Sequence, residues 1–215
     1  DPSADGPVIQ LAHERVLKTG MSLQLTLELI AKFREKNTTT AIVLMGYLNP
    51  VLAMGYDKFV SQLVTSGVDG VLIVDLPAQD SHQLTALLRL HNILSIHFLT
   101  PTTSETRIEA IAKIAQGYIY YVAVKGITGA AHLQVEEVKL QLDKIAQYTN
   151  LPLAIGFGIK DVRTAKCLQD CGAGIIVGTV IVDLIAKQAN NTKLLLVRLS
   201  KLASDFTKVL KHNNI

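Results

Sequence analysis

The chain has 215 residues, 49% of them hydrophobic and 18% charged. That composition excludes a disordered chain and supports one large α/β domain. A formal charge of +3, from 21 Lys+Arg against 18 Asp+Glu, is too small an excess to point to nucleic acid. In chain order, the opening Asp1-Pro-Ser-Ala-Asp-Gly-Pro7 reads as a loop with neither a basic segment nor an apolar one, so no leader is expected there. A helix is predicted over 8–18 and another over 23–36, where Leu25, Leu27, Leu29, Ile30 and Phe33 are apolar. Short β-branched runs predict strands over 40–47, 70–75, 93–100, 118–124, 151–158 and 174–179. Helical patterns separate them over 56–66, 81–91, 105–115, 135–148 and 162–169, and a long helix is predicted over 193–210. The longest apolar run, 175–182, is too short to span a bilayer.

This alternation predicts a parallel sheet with right-handed crossovers. No Gly-x-Gly-x-x-Gly follows the first strand and no Gly-Lys-Ser/Thr loop appears, which argues against a dinucleotide or nucleotide fold. Glycine loops do follow the last two strands, Gly156-Phe-Gly158 and Gly178-Thr179. In (βα)₈ barrels the loops after strands 7 and 8 often bind phosphate, and glycine lets backbone N–H groups approach the anion. Six strands cannot close an eight-stranded barrel. The expectation is therefore a (βα)₈ TIM barrel, one domain over 1–215 carrying strands 3 to 8, with the first two βα units absent from the sequence.

Several segments resemble the tryptophan synthase alpha chain family: Asp1-Pro-Ser-Ala-Asp-Gly-Pro-Val-Ile-Gln10, Met45-Gly-Tyr-Leu-Asn-Pro50, Val74-Asp-Leu-Pro77, Gly126-Ile-Thr-Gly-Ala130, Gly156-Phe-Gly-Ile159 and Gly178-Thr-Val-Ile-Val182. They occur in the family's order and near its spacing. The resemblance implies a carbon–carbon lyase that splits indole-3-glycerol phosphate into indole and glyceraldehyde 3-phosphate, with no cofactor. It implies a beta-chain partner in an α₂β₂ complex, docked on the face carrying the 1–7 loop, Asn49-Pro50 and the segment near Thr128. It also implies a cytoplasmic location, or a plastid one in a photosynthetic eukaryote.

By that resemblance Asp5 is the catalytic carboxylate beside the indole N–H. Taken alone, Asp5-Gly6-Pro7 also reads as a helix start with Asp5 as its cap. Tyr120, Thr128, Phe98 and Phe157 are the expected substrate contacts, with Met45, Leu72 and Val74 as further apolar lining. Gly129, Gly158, Gly178 and Thr179 are the expected phosphate site. Thr128 lies in a loop that closes over substrate in the family. Asp75 either orients loops or caps the next segment. The family's second catalytic carboxylate, a Glu near the end of the second strand, is expected a few residues before Asp1, and no residue here matches it. On that reading the chain as it stands is not expected to turn over.

Other functions stay open on the residues alone. Indole-3-glycerol phosphate synthase chemistry would need lysines at strand ends, for which Lys125 is the only candidate, with Lys160 following the glycine loop; an epimerase would need paired Asp and His metal ligands, which are not seen. A non-catalytic fragment that only binds a ligand or partner is the third reading. The six histidines do not converge, so no metal site is predicted, and His97 is expected to face outward from its strand. Cys167 and Cys171 read as reduced thiols.

Overall fold

In the computed structural model, residues 4–123, 131–156, 158–159 and 161–210 are described. Helices α1 (Pro7–Leu17) and α2 (Leu23–Arg34) precede β1 (Val43–Gly46). Then follow α3 (Leu48–Met54), α4 (Tyr56–Ser66), β2 (Gly70–Ile73), α5 (His82–Leu90), β3 (Leu94–Ser95), β4 (His97–Leu99) and α6 (Glu105–Ile114). The rest comprises β5 (Ile119–Val122), α7 (Ala131–Ala146), β6 (Leu153–Gly156), α8 (Val162–Cys167), β7 (Gly174–Ile176), α9 (Thr179–Gln188) and α10 (Thr192–Leu210). Among these, no helix is long and apolar enough to cross a membrane.

All strand pairs are parallel and follow chain order, β1-β2-β3 and β4-β5-β6-β7. Right-handed crossovers between successive neighbours put every connecting helix on one face. A doubly wound sheet would reverse its order and cover both faces, so this is the curved wall of a barrel. The single strand predicted over 93–100 is two short strands meeting at Ile96. Leu94–Ser95 pairs with β2 and His97–Leu99 with β5, so the chain changes partners there. Counted as one bent strand, the wall has the six strands expected.

The core lies between strands and helices in two parts, one behind each sheet. Phe59, Val60 and Leu63 of α4 pack with Val71 of β2, Leu84 and Leu88 of α5, and Leu27 of α2. These three α4 side chains are essentially unexposed, and their burial is worth about 5–9 kcal/mol as an upper bound. Gly67, left-handed at φ +78°, ends α4. The second part joins Ile119, Tyr121 and Ile155 of the strands to Ile108, Ile111, Val138, Leu142 and Ile145 of the helices. Alternate strand residues therefore face outward and are buried. Their neighbours Phe98 and Tyr120 face the other way and are half-buried.

Helix α3 lies in a stretch for which no helix is predicted. Pro50 falls in its first turn, where a missing N–H breaks no intrahelical bond. Next, α1 packs on α9, and α9 on α10.

Candidate active site

The parallel strands end together at one rim; Gly158 and Gly178 follow β6 and β7 there, while Phe98 and Tyr120 lie within β4 and β5. Asp5 sits in the loop before α1. It is not the cap of that helix: Gly6 is, in extended conformation (φ −73°, ψ 165°), with no side-chain bond and Pro7 following. The N–H groups of Ile9 and Gln10 donate to the Gly6 carbonyl instead. The reading of Asp5 as a helix cap is thus corrected, because the residue before Pro7 already holds the turn and the carboxylate points elsewhere. Its Oδ2 accepts a hydrogen bond from the Tyr47 hydroxyl at 2.9 Å. Its main-chain carbonyl accepts from Gln10 Nε2, also at 2.9 Å. Asp5 is held from two sides.

Tyr47 is the residue between β1 and α3. Burial and the Asp5 carboxylate push its phenol up to about 12, so it stays protonated and donates. On β5, Tyr120 is pushed up by burial first, then by Tyr118 and Asp5, which places all three within electrostatic reach. Tyr120 is in register with Phe98 on one side and Ala154 on the other. Its ring lies over Gly156: a Cβ there would collide with the Tyr120 hydroxyl and ring. Asp5, Tyr47 and Tyr120 therefore bring a carboxylate and two protonated phenols together, with Phe98 on the strand beside Tyr120 and the Tyr120 ring filling the space over Gly156. That set can grip a flat aromatic ring that has one N–H.

Gly158 is left-handed at φ +77°, a conformation that favours glycine. Gly178 precedes α9, whose first intrahelical bonds run from Ile181 and Val182 N–H to the Gly178 carbonyl. The N–H groups of Thr179 and Val180 precede those bonds and have no intrahelical acceptor. A Cβ built on Gly178 would meet nothing within 4 Å. This helix start suits an anion. Thr128, Gly129 and Phe157, expected in the same site, lie outside the described residues, as does Lys160. Met45 is 52% exposed and Leu72 2%, so of the further apolar positions Met45 is the open one.

Two contacts had no signal in the sequence. One is the Tyr47–Asp5 bond; the other is Asp75, at the end of β2, whose Oδ1 accepts the Leu48 N–H at 2.6 Å. Their residue types were legible at strand ends, but nothing local pairs residues 42 or 27 positions apart.

His97 faces outward, as expected. Its Nε2 is 3.0 Å from Ser95 Oγ, beside a cavity of about 20 Å³ lined by Val71, Leu84, Thr85 and Leu88 among others. Burial lowers its pKa to about 4, so it is a neutral packed histidine. Cys167 and Cys171 are both free thiols.

A model of the tryptophan synthase alpha chain family matches residues 1–211. The tryptophan synthase alpha chain of Vesicomyosocius okutanii is 42% identical over 211 residues, 98% of this chain and 80% of that relative. That of Chromobacterium violaceum is 46% identical over 183 residues, 85% of this chain and 70% of its own. Among solved structures, tryptophan synthase subunit alpha from Legionella pneumophila superposes with a TM-score of 0.89 at 35% identity, over 99% of this chain and 79% of that one. A chain of the tryptophan synthase a2b2 complex from Pyrococcus furiosus gives 0.85 at 31%, over 97% and 83%. The parallel wall of strands, the glycine loops at its rim and these likenesses agree: the chain belongs to the tryptophan synthase alpha chain family, with its (βα)₈-barrel fold.

Proposed function

We propose that the chain is the alpha subunit of tryptophan synthase, a lyase that cleaves indole-3-glycerol phosphate to indole and glyceraldehyde 3-phosphate. The observation that carries this is the Asp5 carboxylate, held by Tyr47 at the strand-end rim beside Tyr120, in a chain of this family. The reaction is a retro-aldol cleavage. A proton added at indole C3 makes that carbon tetrahedral and N1 an iminium. The glycerol hydroxyl then gives its proton to the conjugate base of the acid that protonated C3 and becomes the aldehyde, and the electron pair of the breaking C–C bond returns to the ring. A carboxylate beside N1 stabilises the cationic ring most when the charge is greatest. Asp5 takes that role, and a second carboxylic acid is needed to protonate C3. Phe98 and Tyr120, with Phe157, flank the indole. Thr128 orients Asp5, and backbone N–H groups at Gly129, Gly158, Gly178 and Thr179 hold the phosphate. The beta chain binds the face carrying the 1–7 loop and Asn49-Pro50, in an α₂β₂ complex in the cytoplasm.

The test is release of indole from indole-3-glycerol phosphate by protein that also carries the expected Glu upstream of Asp1, with purified beta chain, for wild type and Asp5→Asn. Loss of the charge should cost at least ~3 kcal/mol of barrier, about a hundredfold in kcat. The melting temperature should hold, because Gly6 rather than Asp5 caps α1. Near-normal kcat in Asp5→Asn would remove Asp5 from the chemistry. No indole from wild type would overturn the lyase reading.

A further inference from the structure

We infer that Tyr47 and Asp75 form a positioning relay for Asp5, in which Asp75 fixes the start of α3 and α3 aims the Tyr47 hydroxyl at the Asp5 carboxylate. The inference rests on the proposed role of Asp5.

The argument begins with a helix that cannot cap itself. The residue at the N-cap of α3 is Tyr47, and its side chain makes no cap bond. A tyrosine hydroxyl stands too far from its own backbone to reach the first N–H groups. Those donors need an acceptor from elsewhere. Asp75 supplies it from the next βα loop, through the charge-assisted bond from Leu48 N–H at 2.6 Å. That bond pins the backbone one residue after Tyr47, where β1 turns into α3.

With its backbone pinned, the Tyr47 ring has two torsions left to set. Its hydroxyl uses them to donate to Asp5 Oδ2 at 2.9 Å. The phenol stays a donor because burial and the carboxylate hold it protonated. Gln10 secures the Asp5 main chain independently. Tyr47 is the second tie on that loop, and it sets the rotation of the carboxylate. With Oδ2 engaged by the hydroxyl, Oδ1 is the oxygen presented to an indole N–H. Two hydrogen bonds thus link three loops, the one before α1, the one after β1 and the one after β2.

A ring that only packs would be replaced by phenylalanine without loss, and a relay would not. In protein that also carries the expected Glu upstream of Asp1, Tyr47→Phe should lower kcat for indole-3-glycerol phosphate cleavage about tenfold, the loss expected for one hydrogen bond to a charged group, with KM within about twofold. Asp75→Ala should act in the same direction, while Asp75→Asn, whose amide oxygen still accepts the Leu48 N–H, should restore most of the rate. Because Tyr47 acts through Asp5, the double variant Tyr47→Phe/Asp5→Asn should be no slower than Asp5→Asn alone. Wild-type kcat in Tyr47→Phe, or additive losses in the double variant, would overturn the relay. Amide hydrogen exchange reads the same relay without turnover. Tyr47→Phe and Asp75→Ala should speed exchange at the start of α1, Asp75→Ala should also speed it at Leu48, and Asp75→Asn should do neither. A wild type that fails to cleave substrate overturns the proposed function only. Unchanged exchange in both Tyr47→Phe and Asp75→Ala overturns the relay itself.

Discussion

Gly156→Ala adds one methyl group at the point where β6 meets Tyr120. The new Cβ would lie 2.5 Å from Tyr120 Cε2 and 2.6 Å from Cζ, and closer still to the hydroxyl. Carbon atoms in contact sit about 3.5–4.0 Å apart, so the ring must move by about 1 Å. Gly156 is not among the glycines with positive φ, so alanine brings no backbone strain and the contact is the whole perturbation. Tyr120 is half-buried and has two torsions with which to turn away. The strand need not shift, and the stability cost should lie at the low end of overpacking, about 1 kcal/mol. For a chain of this size that is a fall in Tm of about 2–4 °C. Activity should fall further, because a displacement of about 1 Å in a positioned group can cost about a hundredfold in rate. The assay pairs a melting curve with indole release at saturating and limiting substrate. A control removes the obstacle: adding Gly156→Ala to Tyr120→Leu should leave Tm unchanged, because the colliding ring atoms are gone. Wild-type Tm together with wild-type kcat/KM in Gly156→Ala would refute the stacking of Tyr120 on β6 and its place in the site.

Gly178→Val puts side-chain bulk where a built Cβ meets open space; the fold should hold while glycerol phosphate binding weakens about tenfold by calorimetry, and unchanged affinity would exclude the α9 start as the anion site. Arg34 donates to the Gly67 and Thr40 carbonyls at 2.7 Å each and pairs with Asp69 at 2.5 Å, tying α2 to the opposite end of the strands from the site. Asp69 is 48% exposed, so the ion pair adds little, but Arg34→Met strands the Gly67, Asn37 and Thr40 carbonyls and should cost about 2–3 kcal/mol in urea melts without changing KM. His97 is held near 4 against an ordinary 6.5, so the unfolded chain binds the extra proton first. Stability is kept above about pH 6.5 and lost as pH falls toward about 4, at up to ~1.4 kcal/mol per pH unit. Urea midpoints across that window should drop less in His97→Gln than in wild type, and equal drops would show that His97 is not the group responsible.

Much of the fold was legible in the residues. Each β-branched run contains a strand, since such side chains suit a pleated wall covered on one face. Helix α4 runs over the predicted 56–66, because its apolar spacing and Gly67 mark both its face and its end. The glycine loops after the last two strands could be found locally, because glycine is itself the mark of a backbone such as that of Gly158, left-handed at φ +77°. The family could be read from motifs because each is one short unbroken segment of the sequence.

Only the tertiary structure decided the rest. The bend at Ile96 follows from the change of pairing partner, which no strand propensity records. Helix α3 exists because Asp75 of another loop takes the Leu48 N–H, so its own sequence, with Pro50 and no capping side chain, does not announce it. Asp5 shows the limit most clearly. Locally, Asp-Gly-Pro is a helix start, and capping would satisfy it. In the folded chain Gly6 and Pro7 begin the helix unaided, and the carboxylate turns to a hydroxyl 42 residues away. Local sequence specifies which backbone shapes are cheap. Which polar groups meet across the rim is specified by the curvature of the wall and the pairing of its strands, which bring loops distant in the chain within hydrogen-bond reach.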